Sequence, residues 1–105
     1  MSYVKLSVGK YKYNLDSENE TSRQLATSGG LEILSVVLTA GAGSAVLRIY
    51  DSANSSGNSK DSVLIGANAG ESTTWDPVHP YPITRGIYIV MEQGAPAAEA
   101  TIVYR

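Results

Sequence analysis

The sequence predicts an all-β fold, an antiparallel β-sandwich that is jelly-roll-like and has about seven strands. Three observations lead to this prediction. Apolar and polar residues alternate along most of the chain, which is the period of a strand with one buried face. No segment carries the apolar stripe that recurs every three to four residues in an amphipathic helix. Ten glycines and four prolines separate the alternating segments with turns.

The chain is predicted to form one domain. Its 105 residues, of which 43% are hydrophobic, allow a single core that needs no disulfide or metal to hold it together. Residues 1–27 are predicted to comprise an N-terminal strand followed by a polar loop. We consider this segment a candidate arm for contacts with neighbouring molecules.

The N-terminal strand is the segment YVKLSV, residues 3–8. Its apolar residues lie at even positions, whereas those of residues 11–15 lie at odd positions, so a bulge or tight turn is predicted near Gly9. Residues 16–24, DSENETSRQ, are polar throughout. They are predicted to form a loop.

The next strand, LEILSVVLT at residues 31–39, is apolar on both faces. Strict alternation puts Ile33 and Val37 on one face, and it puts three residues on the other: Leu34, Val36 and Leu38. A strand of this kind is either covered within its own sandwich or covered by another chain. In the second case Leu34, Val36 and Leu38 are candidate protein-interface residues.

Four further strands complete the predicted sandwich. The turn AGAGS leads into AVLRIYD at residues 45–51, and a polar loop leads into SVLIGANA at residues 62–69. Pro77, Pro80 and Pro82 then keep the backbone extended ahead of the next strand. Proline fixes its own φ and disfavours helix at the residue before it. Gly86 gives a sharp entry into the strand IYIVME, and TIVYR forms the last strand.

Composition excludes several function classes. The chain has no cysteine and one histidine, so the usual zinc ligand sets and disulfides are ruled out. Its net charge is −2 and it contains no basic run, which argues against nucleic acid as a partner. The N-terminus does not have the pattern of a signal peptide. The longest apolar run is too short for a membrane span. The absence of cysteine suits a protein made in a reducing cytoplasm.

No residue is assigned to catalysis, a cofactor or a metal. His79 lies between Val78 and Pro80 near Asp76, and the chain has no nucleophile elbow to complete a relay. The oxygen-rich loop of residues 51–61 superficially resembles a calcium loop. An EF-hand, however, needs a ligand at its third position and a glycine at its sixth, and here these positions are Ala53 and Ser56.

Aromatic residues are the more informative class. The chain has seven tyrosines, one tryptophan and no phenylalanine, and Trp75 and Tyr81 flank a proline-rich segment. Three interpretations stay open for this pair. The rings pack at the edge of the core, they anchor a protein interface, or they form a platform on which a sugar stacks.

Several features of residues 28–105 together resemble a known family. A Gly-Leu start at residues 30–31 leads to a strand, a small-residue turn at 41–44 and a strand that ends in Tyr50-Asp51. Pro82-Ile83 then precedes a strand entry, Gly-Ile-Tyr, at 86–88, and Val103-Tyr104 stand just before the last residue of the sequence. The layout is similar to that of small β-sandwich structural proteins of tailed bacteriophages, of the capsid-decoration or head-cement type.

This resemblance implies a non-enzymatic virion protein that needs no cofactor. Such a protein is made in the host bacterial cytoplasm and binds the outside of the capsid in many copies. The partners that it implies are the major capsid protein and copies of the chain itself, with trimeric assembly. The alternative function is a carbohydrate-binding module or an adhesin-like component of a head or tail fibre, with Trp75 and Tyr81 contacting the glycan.

Overall fold

The computed structural model describes residues 3–7, 10–55, 62–93 and 97–105. These residues contain ten strands and no helix. The strands are β1 (Tyr3–Ser7), β2 (Lys10–Asp16), β3 (Ser22–Ala26), β4 (Leu31–Thr39), β5 (Ala45–Asp51), β6 (Ser62–Ala67), β7 (Ser72–Trp75), β8 (Tyr81–Ile83), β9 (Ile87–Gln93) and β10 (Glu99–Tyr104).

The strands form two antiparallel sheets. The six-stranded sheet has the order β1-β2-β10-β4-β7, with β8 also paired to β4, and the four-stranded sheet has the order β3-β9-β5-β6. Every pairing is antiparallel. The prediction of an all-β antiparallel sandwich is therefore confirmed.

Three short strands account for the difference between the predicted number and the ten observed. Strand β3 lies partly within residues 16–24, so the prediction that this whole segment is a loop is wrong. Strands β7 and β8 lie in the segment that was predicted to contain turns and an extended, proline-rich stretch rather than strands. Each of the three is stabilised by a longer neighbour, β9 or β4, which local composition does not reveal.

The inner faces of the two sheets enclose one hydrophobic core. No polar or charged residue is buried in the described part of the chain. Fully burying an aliphatic side chain contributes about 1.5–3 kcal/mol, so this core is the main source of stability. Its largest fully buried side chains are Tyr13, Leu15, Ile33, Val36, Leu38, Leu47, Ile49, Ile83, Ile87, Ile89 and Ile102.

The N-terminal segment belongs largely to this sandwich. Strand β2 lies inside the six-stranded sheet, between β1 and β10, and β3 forms an edge of the other sheet. Leu15 and Leu25 contribute to the core. Residues 10–26 are thus part of the domain rather than a free arm. The predicted irregularity near Gly9 lies outside the described residues.

Strand β4 contains a β-bulge. Against β10, Ser35 pairs with Val103 and Ile33 pairs with Tyr104, so Leu34 is an extra residue on β4. A bulge shifts the strand by one residue and thereby exchanges the faces toward which alternate side chains point. Ile33, before the bulge, and Val36 and Leu38, after it, therefore all face inward.

This exchange of faces corrects the prediction for Leu34, Val36 and Leu38. Val36 and Leu38 are completely buried in the chain's own core, whereas Val37 is 37% exposed on the outer face. Leu34 is the bulged residue and is half-buried. Because Val36 and Leu38 lie between the two sheets, neither can contact a partner on the folded protein.

The adjacent valines provide a test of this register. We expect Val36→Thr to lower the free energy of unfolding by about 2 kcal/mol, because it buries a hydroxyl in an apolar site. Val37→Thr is the matched control and should change it by less than about 0.5 kcal/mol, since the hydroxyl meets solvent. Urea unfolding of the two variants would measure the difference. Similar losses for both would contradict the observed register.

Candidate functional site

Trp75 and Tyr81 lie on the edge of the six-stranded sheet. Strands β7 and β8 pair with the same neighbour, β4: Trp75 lies opposite Val36, and Tyr81 lies opposite Ile33. Residues 76–80 leave the sheet between them. Because paired residues of antiparallel strands share a face, both rings are directed toward the inner side of the sheet.

The two rings pack against each other and against the core. Their centroids are 5.7 Å apart and their planes cross at 63°, an edge-to-face arrangement that is favourable for aromatic pairs. Both residues are partly buried. Of the three interpretations, packing at the edge of the core describes where the rings lie. Rings that cross at this angle share no common plane for a sugar, so the geometry does not favour the carbohydrate platform.

The segment that Trp75 and Tyr81 bracket is an exposed loop. Val78, at its centre, is 93% exposed, and His79 beside it is also exposed. Pro77 and Pro80 restrict the backbone on either side. The loop therefore presents an isolated aliphatic side chain to solvent, held at its base by the aromatic pair.

A second cluster joins the end of β5 to the turn between β8 and β9. The carboxylate of Asp51 accepts hydrogen bonds from the backbone N–H of Thr84 at 3.0 Å, of Arg85 at 2.7 Å and of Gly86 at 3.3 Å. It also accepts one from the Thr84 hydroxyl at 2.8 Å. Burial by itself would raise the pKa of Asp51, but these bonds outweigh it and hold the pKa below its ordinary value.

Backbone segments approach very closely at this junction. A Cβ on Gly86 would lie 2.6 Å from the carbonyl oxygens of both Ala26 and Ser52. The side-chain amide of Gln24 donates to the same two oxygens, each at 2.8 Å. Asp51, Gln24 and Gly86 thus bind the ends of β3, β5 and β9 together, which is a structural role.

The position of Asp51 also bears on the oxygen-rich loop. As the first residue of that loop it would have been the first calcium ligand, yet its carboxylate is bonded to the 84–86 turn. In the described ranges, no group of three or more histidine, aspartate or glutamate side chains is arranged to hold a metal ion. Residues 56–61 of the loop lie outside these ranges.

A third surface was missed by the sequence reasoning. It is the outer face of the four-stranded sheet, where two cross-strand rows run side by side. One row contains Leu64, Arg48 and Val90, and the other contains Tyr50 and Tyr88. We call these five residues the tyrosine face. Alternation along β5, β6 and β9 marks the five as outward-facing, but only the strand order puts them together.

The side chains of the tyrosine face hold one another in place. The rings of Tyr50 and Tyr88 stack with centroids 5.9 Å apart and an interplanar angle of 26°. The guanidinium of Arg48 lies 6.0 Å from the Tyr50 ring centre, and its Nε donates to Glu92 Oε2 at 2.9 Å. Leu64 is 55% exposed at the β6 edge.

The outer face of the six-stranded sheet differs in composition. Asp16 lies opposite Glu99 and Lys12 lies opposite Val103, so charged groups line the β2–β10 side. On the β4–β7 side, the hydroxyls of Thr39 and Ser72 are hydrogen-bonded at 3.0 Å. Charged and hydroxyl groups of this kind are typical of a solvated surface.

No model of a known protein family matches the chain, and neither does any curated protein. No helix in the described ranges is long and apolar enough to cross a membrane.

Proposed function

We propose that this protein is a non-enzymatic structural component of a bacteriophage virion. It binds the outside of the capsid as a decoration or cement protein and stabilises the shell. Its partners are the major capsid protein and further copies of itself. The protein is made in the host cytoplasm and acts on the capsid surface.

The observation that carries this proposal is the contact between the segments on which the resemblance rests. Tyr50-Asp51 and the strand entry at 86–88 are far apart in the sequence, and each by itself is ordinary turn or strand chemistry. In the fold they belong to one hydrogen-bonded junction, through Asp51 and Gly86. The segments that carry the resemblance are therefore neighbours in this fold, which supports treating them as parts of one layout.

The physical character of the domain is compatible with such a role. A cement protein must remain folded while it carries load between capsid subunits, and a continuous apolar core between two sheets provides that rigidity. It also needs side chains that can bind a neighbour. Among the described residues, the exposed large aliphatic side chains that could do so are Leu64 in the tyrosine face, Val78 in its loop and Val37 on the outer face of the six-stranded sheet.

Co-sedimentation with capsids tests the proposal. Undecorated capsids of the phage that encodes this chain would be mixed with the purified chain and sedimented. We expect saturable binding, a fixed ratio of this chain to capsid protein, and a higher melting temperature for decorated capsids. Capsids of an unrelated phage are the control. If the folded chain does not bind the cognate capsid, the proposed function is wrong.

A further inference from the structure

We infer that the turn of residues 84–86 is a carboxylate-binding site, and that in the folded protein the side chain of Asp51 is its ligand. We call the donors of this turn the carboxylate nest: the backbone N–H groups of Thr84, Arg85 and Gly86, and the Thr84 hydroxyl. A free carboxylate binds in the nest when residue 51 no longer carries one. This inference goes beyond the proposed function and does not depend on it.

The donors of the nest match the two oxygens of one carboxylate. Asp51 Oδ1 accepts hydrogen bonds from the N–H of Arg85 at 2.7 Å and of Gly86 at 3.3 Å. Oδ2 accepts from the Thr84 N–H at 3.0 Å and from the Thr84 hydroxyl at 2.8 Å. Because the donors address two separate oxygens, a planar carboxylate satisfies them all at once. A halide ion is a single atom and satisfies only some of them.

The shape of the nest is fixed by contacts that do not involve the Asp51 carboxylate. The N–H of Ser52 donates to the carbonyl oxygen of Gly86 at 3.0 Å. On the other side, the backbone of Thr84 lies against Gly29, where an added Cβ would be 2.0 Å from the Thr84 carbonyl oxygen. We therefore expect the donors to keep their positions when the carboxylate is removed. A free anion then meets a site that is already formed, which lowers the free-energy cost of binding it.

The nest favours a charged ligand over a neutral one. Successive backbone N–H groups that point to one place form an anion-binding concavity. Burial by itself would raise the pKa of Asp51, but the hydrogen bonds from the nest lower the pKa by more. The nest thus stabilises the carboxylate relative to the carboxylic acid. Thr84 and Arg85 are exposed, so a small anion can reach the donors from solvent.

Formate is the probe that tests the inference, and Asp51→Gly is the variant that empties the nest. Removing the whole side chain leaves room for formate, the smallest carboxylate. We expect sodium formate to raise the melting temperature of this variant saturably, by about 3–5 °C more than the same concentration of sodium chloride. In a two-dimensional NMR titration, the amide signals of Thr84, Arg85 and Gly86 should shift with one common midpoint.

The matched control is Asp51→Asn. Its side chain fills the same space as the native one but carries no charge, so the nest is blocked rather than empty. Formate should raise the melting temperature of Asp51→Asn no more than chloride does. The unmodified chain should respond in the same way as Asp51→Asn, because its own carboxylate occupies the donors.

Three results would overturn the inference. The first is an equal effect of formate and chloride on Asp51→Gly, and the second is an equal response of Asp51→Asn to formate, which would place the anion elsewhere. The third applies if Asp51→Gly is unfolded in buffer. Formate should then restore the β-sheet circular dichroism spectrum on refolding from urea, where chloride does not, and a failure to restore it contradicts the inference. None of these measurements involves capsids, so the proposed function is tested separately.

Discussion

Replacing Gly86 with alanine should destabilise the protein by about 3 kcal/mol. The added Cβ would lie 2.6 Å from two backbone carbonyl oxygens, those of Ala26 and Ser52, and 2.9 Å from the Cα of Ala53. These backbone atoms cannot move aside as the end of a flexible side chain could. The ends of β3, β5 and β9 would have to separate, and the Gly86 hydrogen bonds to Asp51 and Ser52 would weaken with them.

The control for this prediction is Gly66→Ala on β6. There the nearest atom to an added Cβ is the carbonyl oxygen of Ala45, 3.8 Å away, which is an ordinary contact. We expect the free energy of unfolding to change by less than about 1 kcal/mol, since glycine in a strand costs entropy that alanine does not. Urea denaturation of both variants gives the comparison. Equal effects of the two substitutions would refute the close approach at Gly86.

Replacing Asp51 with asparagine should cost about 2 kcal/mol at neutral pH. Asparagine keeps the size of the side chain but loses the charge, and its NH₂ group would face an N–H that now donates to the carboxylate. The hydrogen bonds from the backbone N–H groups of Thr84 and Arg85 to Asp51 would be weakened most. Asp76→Asn, in the exposed loop, is the matched control and should change stability by less than about 0.5 kcal/mol.

The Asp51 prediction has a defined pH dependence. The pKa of Asp51 in the folded protein lies below its ordinary value of 3.8, so its contribution to stability is fully present above that value. The contribution is lost as the pH falls through the lower, folded-state pKa, because protonation removes the charge that the N–H groups stabilise. The difference between the unmodified protein and Asp51→Asn should therefore narrow in acid. A difference that stays constant from neutral pH to well below 3.8 would show that the charge is not responsible.

Local sequence identifies some residues of the candidate sites, but it does not predict which of them come into contact. Trp75 and Tyr81 were found because of their residue types and the flanking prolines, yet their edge-to-face packing depends on the pairing of two short strands with β4. The tyrosine face was not found at all. Its residues come from strands β5, β6 and β9, and no local pattern indicates that these strands are neighbours. A prediction of strand order would have been the signal needed.

Alternation of apolar and polar residues determined the all-β class by itself, because the two-residue period of a strand is a local property of the backbone. The tertiary structure decided which residues face the core where that period fails. In β4 the bulge at Leu34 is set by pairing with β10, which lies more than sixty residues further along the chain. The tertiary structure also decided the contact between Asp51 and Gly86. The sequence shows only that each residue lies at the end of a predicted strand. Their hydrogen bond exists only because β5 and β9 pair in the four-stranded sheet, where Asp51 lies opposite Ile87.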